Sequence, residues 1–244
     1  MRLHYGRAER LGDAERVAGG LTVESGSVTL TDTLLMRNVA ALNGGAVYGL
    51  GLQFRNCTMK DNSATYEGGA LAGGANFEDC VLIRNFATDG GTAYATAPIT
   101  SLARCIVAEG GVSQQGAAVY SPGATAIEVR DSLVRGFAAD ASGDATTLVY
   151  AHGSSALAVL DRVTWSNNEL AAVASTNDAT VMVRNVEGLS EVDVQAAALL
   201  SCKLQRHGHH WPLLAGGRVY RRGGGHHLLL PPRPRPDRPR SRRV

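Results

Sequence analysis

No stretch of the chain approaches the ~20 consecutive apolar residues that a membrane-spanning helix requires, which excludes a helical membrane protein. Charge is scarce: Asp, Glu, Lys and Arg make up 19% of the 244 residues, against about 25% in an average globular domain. Such a chain is not held unfolded by self-repulsion, and its 44% of hydrophobic residues suffices for a sizeable core. Cysteine is limited to Cys57, Cys80, Cys105 and Cys202, with no Cys-x-x-Cys pair to suggest a zinc site. Glycine alone is in excess, with 29 residues, roughly 12% of the chain where ~7% is usual.

Acid is nearly missing at one end. Residues 203–244 hold eleven of the 24 Lys+Arg and one of the 22 Asp+Glu, Asp237, so they carry +10 and leave −8 on residues 1–202. The formal net charge of +2 is a cancellation between two unlike polymers. The basic stretch holds five of the seven His and ends in PPRPRPDRPRSRRV, a Pro/Arg run without apolar periodicity. Residues 203–244 therefore read as an extended, disordered tail. Their composition is foreign to the rest, as after a shifted reading frame; taken as it stands, their charge would attract nucleic acid, a membrane surface or an acidic polysaccharide.

The body resolves into internal repeats. A block reading apolar-x-apolar-x-(Asn/Asp)-x-x-apolar recurs with its second apolar position at Leu30, Phe54, Phe77, Leu102, Val129, Leu160 and Val183, at spacings of 24, 23, 25, 27, 31 and 23. Further columns keep the same register: Leu35, Met59, Leu82, Val107, Val134 and Trp165, then Asn38, Asn62, Asn85 and Asn168. A Gly-rich strand start follows in Gly44-Gly45-Ala46-Val47-Tyr48, Gly68-Gly69-Ala70-Leu71, Gly90-Gly91-Thr92-Ala93-Tyr94 and Gly116-Ala117-Ala118-Val119-Tyr120. Gly19-Gly20-Leu21-Thr22-Val23 fits the tail of an earlier, incomplete repeat.

Segments this short with period-two alternation are strands rather than helices. One corner carries Asp32, Asn56, Asp79, Asp131 and Asn185, with Arg104 and Arg162 as exceptions; Asn and Asp best tolerate the left-handed backbone of a tight corner. The fold expected is all-β: a parallel β-solenoid of about seven coils, three short strands per coil, over residues 19–202. Stacking places like residues in rows, so Asn38, Asn62 and Asn85 should form an internal amide ladder. Residues 1–18 read as an N-terminal cap or a truncated coil, with Leu11, Ala14, Val17 and Ala18 at helical spacing. No apolar leader run is visible among them.

Segments FRNCTMKDNSATYEGGALA (54–72) and FEDCVLIRNFATDGGTAYA (77–95) resemble the GGA and FxxN repeats of polymorphic outer-membrane proteins. More broadly, residues 19–190 are similar to the right-handed parallel β-helix, or pectin-lyase-like, superfamily. That resemblance implies a right-handed coil and an extracellular or cell-surface location. It is compatible with adhesins as well as with lyases and hydrolases of polysaccharides.

Candidate chemistry is sparse. Cys57, Cys80 and Cys105 recur at the coil period and form one interior column, stacked as buried thiols or joined in one inter-coil disulfide. Tyr48, Tyr94, Tyr120 and Tyr150 share one strand position. If Val47, Ala93, Val119 and Val149 point inward, these rings form an outward stripe on which sugars could stack, or one that only shields the sheet by cross-strand stacking. Asp79, Asp131, Asp161 and Glu128 beside Arg104, Arg130 and Arg162 are the acids and bases an enzyme of this fold would use. Their alternating sign equally fits a coil-to-coil salt-bridge row. The 31-residue spacing marks an insertion with Asp140 and Asp144, near His152, that lacks the alternating ligands of a calcium loop. No metal or cofactor is expected. The reading is a non-catalytic surface or secreted module that binds a polysaccharide or a surface protein, with a polysaccharide lyase or hydrolase as the alternative; nucleic acid would be reached only through the tail.

Overall fold

The structure is a computed structural model of the chain. It describes residues 2–4, 7–8, 18–112, 114–123, 125–138, 147–153, 155–176, 179–186, 194–196, 203–206, 209–214 and 218–219. Among these no helix occurs, and every strand pair of the body is parallel, which makes it a parallel β-solenoid of stacked coils.

Three sheets form its sides. The long sheet has 13 strands in two adjoining ladders. One is the Gly-rich ladder, from Leu21–Val23 through Ala93–Ala95, Val119–Pro122 and Thr147–His152. The other runs from Val28–Thr31 through Ile99–Ala103, Ala126–Arg130 and Leu157–Asp161 to Thr180–Arg184. Val47–Arg55 and Leu71–Glu78 belong to both, each as one continuous strand. Those two coils thus have three strands, as expected. In the longer coils that follow, extra residues around Pro98 and Gly123 split the first strand in two.

A second, seven-stranded sheet includes Leu34–Met36, Thr58–Lys60, Val81–Ile83, Ile106–Ala108, Leu133–Arg135 and Thr164–Ser166. The third is narrow: Val39–Ala40, Ser63–Ala64, Phe86–Ala87 and Gly111–Val112, preceded by Arg7–Ala8. Arg2–His4 and Arg7–Ala8 pair with Leu34–Met36 and Val39–Ala40, so this part of residues 1–18 adds rungs of a further coil; residues 9–17 lie outside the described residues.

The expectation of about seven coils needs correction. The long sheet has seven rungs through the Leu30 column, but among the described residues the narrow sheet stops at Gly111–Val112, so about four turns close on all three sides. In the column that precedes the narrow-sheet strands, Asn38, Asn62 and Asn85 are followed by Gly110, then by Phe137, whose fully buried ring enters the core over Gly110, and then by Asn168, whose Oδ1 accepts from Phe137 N at 3.1 Å; residues 139–146 lie outside the described residues.

Each bend between sides rests on one residue with positive φ. The first corner uses Asp32, Asn56, Asp79, Arg104, Asp131, Arg162 and Asn185, with φ between 49° and 55°. A second corner, unmarked by Asn or Asp alone, uses Arg37, Asp61, Arg84, Glu109 and Asn167. Gly44, Gly68, Gly90 and Gly116 take the third, with φ of 59° to 67°. Left-handed backbone costs a non-glycine residue roughly 1–2 kcal/mol. Coil-to-coil hydrogen bonds offset that, because the ladder runs through the bends: Asn56 N donates to Glu78 O at 3.0 Å and Arg84 N to Ala108 O at 2.9 Å.

The interior is made of columns. Phe54 and Phe77 stack at 4.9 Å with an interplanar angle of 12°, both almost fully buried. The amide ladder forms as expected: Asn38 Nδ2 donates to Asn62 Oδ1 at 2.9 Å, and Asn62 Nδ2 to Asn85 Oδ1 at 3.0 Å. Each acceptor oxygen also takes the backbone N–H of the preceding coil's Asn, at 3.0 and 3.1 Å. Spare amide protons reach Leu35 O and Met59 O. Within the stretch 203–244, Lys203–Arg206, His209–Leu214 and Arg218–Val219 pair antiparallel; residues 220–244 lie outside the described residues.

Asn62→Ala removes the acceptor of two Asn38 donors and leaves a cavity. Stability to urea should fall by roughly 2–4 kcal/mol, while Gln53→Ala, on the exposed face, should change it by less than about 0.5 kcal/mol.

Candidate functional site

The thiol column is where the repeat spacing put it, and Cys57, Cys80 and Cys105 are free and buried; Cys202 lies outside the described residues. Their thiols donate to backbone carbonyls, Cys57 to Arg55 O at 3.2 Å and Cys80 to Glu78 O at 3.2 Å. The bond with Cys80, then burial, pushes the Cys57 thiol far up; the bond with Cys105 takes Cys80 up to about 11. Cys57 and Cys80, held protonated in this way, are poor nucleophiles, whereas the bond with Cys80 draws the buried Cys105 thiol below its usual value.

The candidate acid–base set forms ion pairs along the first corner. Arg104 contacts Asp79 at 2.7 and 2.9 Å and Glu78 at 2.5 Å. Arg162 binds Asp131 at 2.9 Å and Asp161 at 2.7 Å, and Arg130 binds Glu128 at 2.8 Å. The guanidinium bonds hold the Asp79 and Asp131 carboxyls below their usual range. A carboxylate clamped by a guanidinium is a weak general base, and these pairs lie in a row along the rod instead of converging on one point. The second corner has its own row, with Arg84 between Asp61 at 2.6 Å and Glu109 at 3.3 Å. Among the described residues no group of three or more His, Cys, Asp or Glu is placed to hold a metal ion. Asp140 and Asp144 lie outside the described residues.

The tyrosine column is different. Val47, Ala93, Val119 and Val149 are buried and Tyr48, Tyr94, Tyr120 and Tyr150 are half-buried, so strict alternation turns the rings outward. Tyr94 and Tyr120 have ring centroids 5.0 Å apart at 55°; Tyr120 and Tyr150 are 5.2 Å apart at 24°. His152, in the same strand, stacks on Tyr150 at 6.2 Å. Because Tyr120 and Tyr150 cover each other's faces, this part of the stripe presents ring edges and hydroxyls to a ligand. Ala72 stands in the column between Tyr48 and Tyr94.

A polar column runs beside these rings. Asn43, Glu67 and Asp89 are bridged in parallel from coil to coil, and Gln115 follows in the next coil. Glu67 interacts with the Tyr94 hydroxyl of the next coil, and Asp89 Oδ1 accepts from Gln115 N at 3.2 Å. Burial raises both carboxyls above their usual range; the Asp89 charge adds to the rise at Glu67, while the bonds from Tyr94 and Gln115 N oppose it. Burial also pushes the phenols up, Tyr120 to about 12, with the negative charge of Asp89 as the next cause. This column is not among those that the repeat spacing singles out, because its residues share no side-chain type. The signal was there, since Asn43, Glu67, Asp89 and Gln115 each directly precede the glycine that opens a strand start.

What results is a face with a comb of tyrosine hydroxyls and two half-buried carboxyls. It can exchange hydrogen bonds with hydroxyl-rich or cationic groups, and its ring edges can pack against apolar ones. Compared with protein-family models, curated proteins and solved structures, the chain finds no match.

Since the folded-state carboxyl of Glu67 titrates above its ordinary value, its neutral form favours the fold. That contribution is full below the unfolded value, about 4.3, and is lost as pH rises through the folded one. Glu67→Gln stays neutral throughout. Its melting temperature should match the parent's at pH 3 and exceed it at pH 7; a variant melting lower at pH 7 would contradict the burial argument.

Proposed function

We propose that the protein is a non-catalytic β-solenoid recognition module, acting outside the cell or at a cell surface, whose tyrosine–carboxyl face binds a polysaccharide or a partner protein. The observation that carries this reading is the outward run Tyr94–Tyr120–Tyr150, kept at contact distance by the coil pitch and flanked by Glu67 and Asp89. Interior columns in this fold are explained by packing, and corner columns by ion pairing. A row of large aromatic residues on an outward sheet position is explained by neither alone, and tyrosine is the residue type that most often anchors a recognition surface. The surface location and the polysaccharide or adhesion character follow from the repeats' resemblance to polymorphic outer-membrane proteins and to the pectin-lyase-like superfamily.

A glycan array probed with the full chain tests this. Binding should weaken roughly tenfold in Tyr120→Ala and also in Tyr120→Phe, which keeps the stack and removes the hydroxyl, while Asp131→Ala binds as the parent does. Turnover of an acidic polysaccharide that disappears in Asp131→Ala would replace the binding module with a lyase or hydrolase.

A further inference from the structure

Body and tail carry opposite charge, −8 on residues 1–202 and +10 on 203–244. Most of the acids on the solenoid corners are neutralised locally: Asp61 and Glu109 share Arg84, Glu78 and Asp79 share Arg104, and Asp131 and Asp161 share Arg162. Glu67 and Asp89 are unlike these. They sit in successive coils, half-buried, with neutral groups beside them, the Tyr94 phenol at Glu67 and the Gln115 backbone N–H at Asp89. Two carboxylates withdrawn from water next to one another, with neutral partners, attract a cation more strongly than any corner acid does. The edges of Tyr94 and Tyr120 lie beside them.

The sequence supplies a matching polymer. Residues 231–244 contain five Pro and six Arg with one acid. Proline fixes φ near −65°, so the run favours the polyproline II helix, with three residues per turn and about 3.1 Å per residue. One turn is then about 9.3 Å, close to two coils of roughly 4.8 Å. Glu67 and Asp89 are one coil apart, half a turn of such a helix, so one guanidinium fork can bridge both carboxyls, while residues three apart, such as Arg235 and Arg238, lie two coils apart. Polyproline segments dock on tyrosine-lined surfaces at a small entropic cost because they are already extended, and guanidinium groups form bidentate bonds with carboxylates.

We propose that the Pro/Arg-rich segment 231–244 of this chain docks on the Tyr94–Tyr120 face, its Arg side chains pairing with Glu67 and Asp89, within one molecule or between two copies, and so occupies the face until another ligand displaces it. This rests on that face being a recognition surface, and it gives the face a built-in competitor.

The full chain carrying Pro239→p-benzoylphenylalanine is irradiated and its adducts mapped by mass spectrometry. Adducts should fall within residues 66–72, 89–96 and 115–122, and their yield should drop at least fivefold in the Glu67→Gln/Asp89→Asn double variant, whose circular dichroism verifies the fold. Excess free peptide 231–244 should compete with them. Yield independent of protein concentration indicates docking within one chain, and yield that rises with concentration indicates docking between copies; both support the proposal. Adducts concentrated elsewhere, no adduct on the solenoid, or a yield unchanged in the double variant overturns it. Glycan binding that still depends on Tyr120 in that event leaves the recognition face standing, so the two claims fail separately.

Discussion

Coil-to-coil hydrogen-bond register is the constraint on which the rest of this molecule depends. Every described body strand pairs in parallel with its counterpart one repeat away, and the bonding continues through the bends, as from Asp79 N to Ala103 O and from Asp61 N to Ile83 O. A residue's neighbours are therefore fixed by its position in the repeat before its chemistry is considered. A one-residue slip would turn every inward side chain outward. Pinning that register is what the buried polar columns do, since Asn62 Oδ1 accepts from both the side chain and the backbone of Asn38. A buried amide so fully bonded tolerates little displacement along the strand.

Bends show the same logic at a local cost. Arg84, Arg104 and Arg162 adopt left-handed backbone that arginine disfavours, yet each then stands over an acid of the coil before it, Asp61, Asp79 and Asp131. These pairs are exposed, and exposed pairs contribute little to stability. For register, a one-residue shift would set Arg84 against Lys60 and Arg162 against Arg130, whereas Arg104 would still meet an acid, Glu78. Where the column changes its chemistry the packing adjusts around it: Phe137 takes the place of the pinning amide, Gly110 makes room for the ring, and Asn168 resumes the amide's role by accepting from Phe137 N and donating to Val134 O.

This explains which features were legible in the sequence. Stacking makes each column a repeated letter, so the amide ladder, the interior thiols, the outward tyrosines and the first corner could be read from spacing alone. The second corner could not, because Arg37, Asp61, Arg84, Glu109 and Asn167 share a backbone conformation but no common side-chain type, and only Asp61 and Asn167 among them are of the kinds that mark a left-handed residue in sequence. Nor could the number of closed turns, which depends on whether a two-residue side pairs at all. The polar column beside the tyrosines was half legible: its position is constant, but Asn43, Glu67, Asp89 and Gln115 differ in charge and length. Nothing in one dimension says that Glu67 reaches Tyr94, one coil further on.

Half-buried acids beside stacked phenols are an expensive arrangement for a surface, and the solenoid has simpler alternatives within its own repeats. The corner columns neutralise acids with arginine one coil away, and the same spacing was open to Glu67, whose bridged neighbours are Asn43 and Asp89. With Asp89 as that neighbour, the charge on one carboxyl raises the cost of charging the other, and burial raises it for both. Phenols in the same region are pushed up as well, so they stay protonated donors across the physiological range. Donors that cannot ionise, next to acceptors that gain from a cation, form a face whose electrostatics improve when something basic or hydroxyl-rich covers it. Packing alone gives no reason for that asymmetry, since an Asn or Gln at either position would hold the same backbone bridges without the penalty.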